Sequence, residues 1–318
     1  MPDMHAPIKL GANLWNQYTD WPTFIDGMLR AEDLGYDSLF TWDHVYPIVG
    51  SWEGPALETY TAMAAVAAQT KRATIGHLVT ANTFRNPALV AKMITTIDHI
   101  SDGRAVLGVG AGWHVQEHQQ FGFRFGAGPP ERLRWLGEAL PIMRGMLDGE
   151  QPTALGERYR VHEALNEPAP VQQHLRLLVA GGGPKVTLGL VARYADANNI
   201  SGPADLVAEK DRILVEHCER IGRDEREIER TMRMAITVVR DSQAEAERAY
   251  AGILERNRAR PFPGNHVGTP EDLFERFAAL VELGYRHLIF YFPTPYDVET
   301  MTRLVTEIRP RLEAMLRA

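Results

Sequence analysis

Short apolar and β-branched runs alternate along this chain with longer stretches that place apolar residues at every third or fourth position. Residues 8–14 read as a strand. Residues 20–34 read as a helix that stops at Gly35, a residue suited to the left-handed conformation that ends many helices. A second strand at 37–42 and helix at 56–70 follow, then strand 73–80 and helix 86–100, with Pro87 in that helix's first turn. Residues 104–110 (RAVLGVG) form a nearly unbroken apolar strand, which suits a parallel sheet covered on both faces. Helix 131–147 comes next. Residues 149–175 are polar, hold Pro152, Pro168 and Pro170, and predict an excursion with room for a hairpin. The rhythm resumes with strand 177–180 and helix 185–193, strand 196–200 and helix 203–221, and strand 232–239 and helix 243–257. A loop at 258–267 precedes helix 270–283, strand 287–292 and a last helix at 298–316.

Strands alternating with helices over a continuous length imply βαβ units and a parallel sheet. Eight such units predict an α/β fold, a (β/α)8 TIM barrel with an insertion between strands 4 and 5 and a loop before the last strand–helix unit. No linker or low-complexity segment divides the chain, so residues 1–318 are expected to form one domain.

Composition narrows the partners. Lys and Arg number 34 and Asp and Glu 41, a net charge of −7. That balance argues against nucleic-acid binding and gives no electrostatic reason to sit on an anionic membrane. No run approaches the roughly 18 apolar residues of a membrane span. The N-terminal MPDMHAPIKLGANLW has no basic segment followed by an apolar run, so no signal peptide is expected. The single cysteine, Cys218, excludes an internal disulfide and a thiolate metal cluster and fits the reducing cytoplasm.

A barrel of this kind carries its active site at the C-terminal ends of its strands. Those ends hold Asn13–Trp15, Trp42-Asp43-His44, Val79 to Asn82, Gly110 to His114, Ala180 to Gly183, and Tyr291-Phe292. Aromatic rings, histidine and glycine together suit a flat ring-bearing ligand with a phosphate tail. Gly181-Gly182-Gly183-Pro184 opens a helix, where backbone N–H groups and the helix dipole favour an anion. A tight turn needing glycine explains the same residues equally well. His44 is a candidate acid, base or donor, with Asp43 next to it to orient the ring or raise its basicity. Gly108-x-Gly110-x-Gly112 is not the dinucleotide fingerprint. His114-Val-Gln-Glu117-His118 spells a zinc-peptidase signature and leaves a remote zinc-hydrolase alternative through His114 and His118, but it directly follows a strand in a barrel. No metal site is therefore expected. No serine lies in a GxSxG motif.

In its order of motifs the chain resembles the luciferase-like monooxygenase superfamily. The carriers are residues 31–38 (AEDLGYDS), Trp42-Asp43-His44, Thr83-Phe84-Arg85-Asn86-Pro87, Asp98 to Arg104, and Gly108 to Trp113 with Glu117-His118. Gly181 to Gly183, Ala192 to Asp196 and Val267 to Asp272 complete them. Trp-Asp-His and Thr-Phe-Arg-Asn-Pro are most similar to the branch that uses coenzyme F-420. The resemblance implies hydride transfer between coenzyme F-420 and a small organic substrate, with His44 as proton donor and Asp43 against the deazaflavin ring. It also implies a non-proline cis peptide at Leu78-Val79 behind the ring, with Asn82 at the same strand end. Gly112, Trp113 and His114 would adjoin the cofactor tail, and Gly181, Gly182 and Gly183 its phosphate. The alternative is a monooxygenase using reduced FMN. Sugar-phosphate dehydrogenases of the branch carry a Glu after the strand 4 glycines, where this chain has Trp113, which favours a different organic acceptor. A homodimer through the helices near strands 2 to 4 is implied too, with an apolar face at 62–68.

Overall fold

The computed structural model describes residues 7–261 and 264–317. Its eight barrel strands are β1 (Lys9–Leu14), β2 (Ser38–Thr41), β3 (Thr74–His77), β4 (Ala105–Gly110), β5 (Arg176–Ala180), β6 (Ala197–Ile200), β7 (Glu229–Val239) and β8 (His287–Phe292). Each pairs in parallel with the next. β8 returns to β1, with Lys9 opposite His287 and Leu14 opposite Phe292, so the sheet closes.

The helices pack outside. They are α1 (Trp21–Leu34), α2 (Thr59–Gln69), α3 (Pro87–Ile100), α4 (Val115–Phe121), α5 (Pro129–Leu147), α6 (Thr187–Tyr194), α7 (Ala204–Ile221), α8 (Gln243–Arg256) and α9 (Pro270–Glu282). Local chemistry sets their ends. Asp20 caps α1 by accepting from Thr23 N, and Gly35 ends it at φ +97°. Asn86 caps α3 just before Pro87. Thr269 and Asp272 cap α9 reciprocally. The main core lies between barrel and helices, around Leu10, Leu14, Leu39, Ile75, Leu107 and Leu177. A smaller cluster fills the barrel with Phe40, Val106, Leu178, Ile236 and Ile289.

Several boundaries differ from the sequence expectation. The strand expected at 73–80 stops at His77. The Leu78–Val79 peptide is cis, and Thr80–Ala81 then forms a short strand on Val109–Gly110. β3 and β4 approach closely there, since a Cβ on Gly108 would lie 2.1 Å from the His77 carbonyl oxygen. The insertion between β4 and β5 holds α4 and α5 and a hairpin pairing Ala154–Leu155 with Arg160–Val161. The loop expected through 267 instead ends in a strand, His266–Gly268, beside Thr237–Val239. β7 starts at Glu229 rather than 232. The last helix passes through a π turn at Leu304–Ile308. Among the described residues, no helix is long and apolar enough to cross a membrane.

Candidate active site

The C-terminal strand ends open onto a cavity of about 480 Å³. At the end of β2 the chain sends Asp43 and His44 to different partners. Asp43 is 2% exposed, and its Oδ2 accepts from Ala81 N at 2.9 Å and from Arg85 Nη1 at 2.7 Å. Arg85 also donates to Glu58 at 2.8 Å and lies 4.6 Å over the Tyr60 ring. Asp43 thus ties down the short strand that follows Leu78–Val79.

His44 turns to a carboxylate from elsewhere. Its Nδ1 lies 2.7 Å from Glu117 Oε2, and Glu117 Oε1 accepts from Val45 N at 2.8 Å. Glu117, on α4, is fully buried. A carboxylate only accepts, so this contact assigns the proton of the neutral ring to Nδ1 and leaves Nε2 for the cavity His44 lines. The expectation that Asp43 orients His44 is corrected here: Glu117 does so, and Asp43 is spent on Arg85 and Ala81.

His114 also lines the cavity, with Nδ1 3.7 Å from Glu117 Oε2, beyond hydrogen-bond reach. Burial lowers its pKa and favours the neutral ring. His118 is engaged at both nitrogens, Nδ1 with the His114 carbonyl and Nε2 with Thr83 Oγ1, each at 2.7 Å. The HxxEH run therefore does not present two free imidazoles. Among the described residues no group of three or more His, Cys, Asp or Glu is placed to hold a metal ion.

Aromatic rings form the walls. Trp42 stacks on Trp15 at 4.6 Å and meets His44 edge-on at 5.8 Å and Tyr291 at 5.7 Å. Trp113, 61% exposed, stands edge-on to His44 at 5.9 Å. Leu78, Val79 and Gly112 line the same space. Asn82 does not: it is buried, its N–H donates to the Gly110 carbonyl at 3.0 Å, and its carbonyl accepts from the Tyr159 hydroxyl.

The far end is cationic. Gly181 lines it at φ +118°, but its N–H already donates to the Asn199 carbonyl at 2.9 Å. Lys210 of α7 drapes over Gly182, where a Cβ would lie 2.6 Å from Lys210 Cδ and 3.0 Å from Nζ. Gly183 stands beside this lining rather than in it. Lys210 makes no hydrogen bond or ion pair with another described residue. Arg233 of β7 donates to Ser201 Oγ at 2.8 Å and lies 5.6 Å over the Tyr291 ring. The arrangement suits a flat ring with an anionic tail: rings and a carboxylate-held imidazole at one end, and an unpaired ammonium beside a glycine turn at the other.

Sequence reasoning missed Glu117 as the partner of His44, and missed Lys210 and Arg233. Glu117 was visible in the zinc-like motif and among the residues carrying the family resemblance, but neither paired it with His44. Lys210 sits in an amphipathic helix, where a lysine carries no signal of its own.

The profile of the luciferase-like monooxygenase family matches residues 6–266. An F-420-dependent glucose-6-phosphate dehydrogenase from Gordonia bronchialis is 30% identical over 98% of this chain and 99% of its own. One of the same name from Microbacterium testaceum is 28% identical over 97% and 98%. Among solved structures, an F-420-dependent secondary alcohol dehydrogenase in complex with an F-420–acetone adduct has a TM-score of 0.79 at 21% identity, over 96% of this chain and 99% of its own. A monooxygenase from Streptomyces bottropensis also scores 0.79, at 19% identity over 96% and 99%. With a barrel closed at eight parallel strands and the family profile spanning most of its length, the chain belongs to the luciferase-like monooxygenase family.

Proposed function

We propose that this protein is an oxidoreductase transferring a hydride between coenzyme F-420 and a small organic substrate, with residues 1–318 forming a single domain. One observation carries the reading: a carboxylate-held His44 after β2 and an unpaired Lys210 beside the glycine turn after β5 line one aromatic-walled cavity. When bound, the reduced deazaflavin supplies a hydride. Leu78 and Val79 would hold its ring, and Gly181, Gly182 and Gly183 with Lys210 its phosphate-bearing tail. Of Gly112, Trp113 and His114, which the resemblance sets beside that tail, Trp113 and His114 adjoin His44, and Trp113 is left to the substrate.

His44 delivers a proton from Nε2 to the atom that gains negative charge, and takes one up in the reverse direction. Glu117 acts through His44. Its carboxylate fixes the ring's orientation and stabilises the imidazolium that stands ready to donate. Asp43 acts further back, by holding Ala81 and Arg85 and so the wall formed by Leu78–Val79. The buried rings of Trp42 and Tyr291 exclude water from the reacting face.

The reduced-FMN monooxygenase is the second reading. It shares the fold with the Streptomyces structure, whereas the relatives of 28% and 30% identity bear F-420 names. Calorimetry with F-420 and FMN side by side decides: tighter F-420 binding is expected, and equal or reversed affinity favours the monooxygenase.

We also place the protein in the cytoplasm as a homodimer. The apolar face at 62–68 is largely spent on the chain's own core, with Ala62, Met63, Val66 and Ala67 buried. A monomer in sedimentation at micromolar concentration would count against the homodimer.

A further inference from the structure

Resting on the F-420 reading, we infer that the substrate is an uncharged, flat carbonyl compound, an aromatic or conjugated ketone or aldehyde or the alcohol corresponding to it, and that Trp113 selects it. The reasoning starts from what surrounds the proton-delivering ring. His44 is flanked edge-on by Trp42 at 5.8 Å and Trp113 at 5.9 Å, with the His114 ring at 6.2 Å. No unspent charge stands among these groups. Glu117 uses one oxygen on His44 and the other on Val45 N, and Asp43 is bound to Arg85 and Ala81. The two cations lining the cavity lie elsewhere. Lys210 covers Gly182, and Arg233 sits over Tyr291, whose ring and that of Trp42 form the line of contact back to His44.

A phosphate or carboxylate placed beside His44 would lose its water and meet only an imidazolium whose charge Glu117 already balances, which is costly. A flat neutral molecule meets no such cost. It gains instead by covering Trp113, which is 61% exposed. A trapped carbonyl oxygen is also what His44 is placed to serve. On reduction the carbonyl carbon gains a hydride with its electron pair, the C=O π bond breaks toward oxygen, and that oxygen takes the proton from His44 Nε2. The product is an alcohol. The two electrons come from the reduced cofactor, which is left oxidised, and His44 regains its proton from solvent. This preference separates the chain from the relatives named glucose-6-phosphate dehydrogenases.

The experiment has two arms on the full chain. Fluorescence titration measures F-420 affinity for the wild type, Trp113→Ala and Trp113→Phe. Steady-state assays then compare acetophenone, benzaldehyde and cyclohexenone, with reduced F-420, against glucose 6-phosphate, with oxidised F-420. The expected kcat/KM favours a carbonyl of the first group by about 100-fold, the cost of burying an unpaired charge. Trp113→Ala should raise KM for that carbonyl roughly 3- to 10-fold while Trp113→Phe restores most of it, with F-420 affinity changed by about two-fold or less; a KM change that only follows a loss of F-420 affinity returns Trp113 to the cofactor and overturns the inference. Glucose 6-phosphate oxidised as well or better overturns the inference, as does absence of turnover with every carbonyl tested, or a KM indifferent to Trp113. Failure to bind F-420 at all overturns the cofactor reading beneath it.

Discussion

Replacing Glu117 by Gln tests the mechanism at its most constrained contact. Val45 N–H is bonded to Glu117 Oε1 at 2.8 Å and still needs an acceptor after the change. The amide oxygen therefore stays on Val45, and the amide NH₂ is left facing His44 Nδ1. In the wild type Nδ1–H donates to a carboxylate at 2.7 Å inside a fully buried setting. In the variant, donor meets donor unless the ring moves its proton to Nε2. The imidazolium, which carries hydrogen on both nitrogens, loses its acceptor in either case. A hydrogen bond to a charged group contributes about 1.5–3 kcal/mol, which converts to a loss in kcat of about 10- to 150-fold. Shape is nearly conserved, so KM and F-420 affinity should stay within a few-fold. Single-turnover reaction with reduced F-420 measures the rate, and NMR of isotopically labelled histidine nitrogens reports the tautomer. An unchanged rate, or a tautomer still carrying hydrogen on Nδ1, would refute the positioning role. A variant that merely unfolds is recognised by lost F-420 binding, and Glu117→Ala with the wild-type rate would refute the role independently.

Other outcomes follow from the same contacts. His44→Ala should lower turnover about 10²- to 10⁴-fold with cofactor affinity within several-fold; outright loss of binding would move His44 from proton delivery to binding. Lys210→Met should weaken F-420 binding by about 10-fold or more and flatten its salt dependence, and a salt slope equal to the wild type's would disprove that contact. His77 is fully buried, stacks on Tyr60 at 3.9 Å, and is lowered by burial from 6.5 to about 4. A histidine depressed on folding leaves stability intact above 6.5 and erodes it as the unfolded chain takes up the proton first. Urea titrations should therefore show a loss of about 2 kcal/mol between pH 6.5 and pH 5 from this group, absent in His77→Phe; an identical slope in the variant would mean that His77 is protonated in the fold.

The barrel was legible because its signal is periodic. Most barrel strands and the longer flanking helices repeat apolar positions often enough to be seen, and caps such as Asn86–Pro87 and Gly35 mark the ends. Elements too short to show a period were not seen: α4 at Val115–Phe121, the strand at His266–Gly268 behind a run of Pro and Gly, and the division of the 73–80 strand. The site was half legible. Strand ends pointed to His44, Val79, Gly112 and Gly181, and the family resemblance added Leu78; all of these line the cavity, whereas Asn82 and Gly183 lie just beside it. Pairings across the barrel left no trace in one sequence. Glu117 is far from His44 along the chain, and Lys210 reaches the glycine turn only because α7 packs beside α6.

Asp43 and His44 explain why neighbours in sequence mislead. The chain turns just past β2, where the His44 N–H donates to the Trp42 carbonyl at 3.2 Å, and the two neighbouring side chains go to different partners. Asp43 joins Arg85 in the wall, and the acid His44 needs arrives from the insertion after β4. With both carboxylates spent, the unspent charge of the cavity lies at Lys210 and Arg233, neither of which contacts the ring of Trp113. Cofactor affinity and substrate choice then rest on separate residues that share no partner: Lys210 touches Gly182, while Trp113 touches His44 and His114. Independent sites combine additively within about 0.3–0.5 kcal/mol. The double variant Lys210→Met/Trp113→Ala, assayed with both F-420 and carbonyl below saturation, should lose the product of the two single-variant factors. A coupling above about 1 kcal/mol would show that one ligand group contacts both residues, and that Lys210 and Trp113 belong to a single recognition surface.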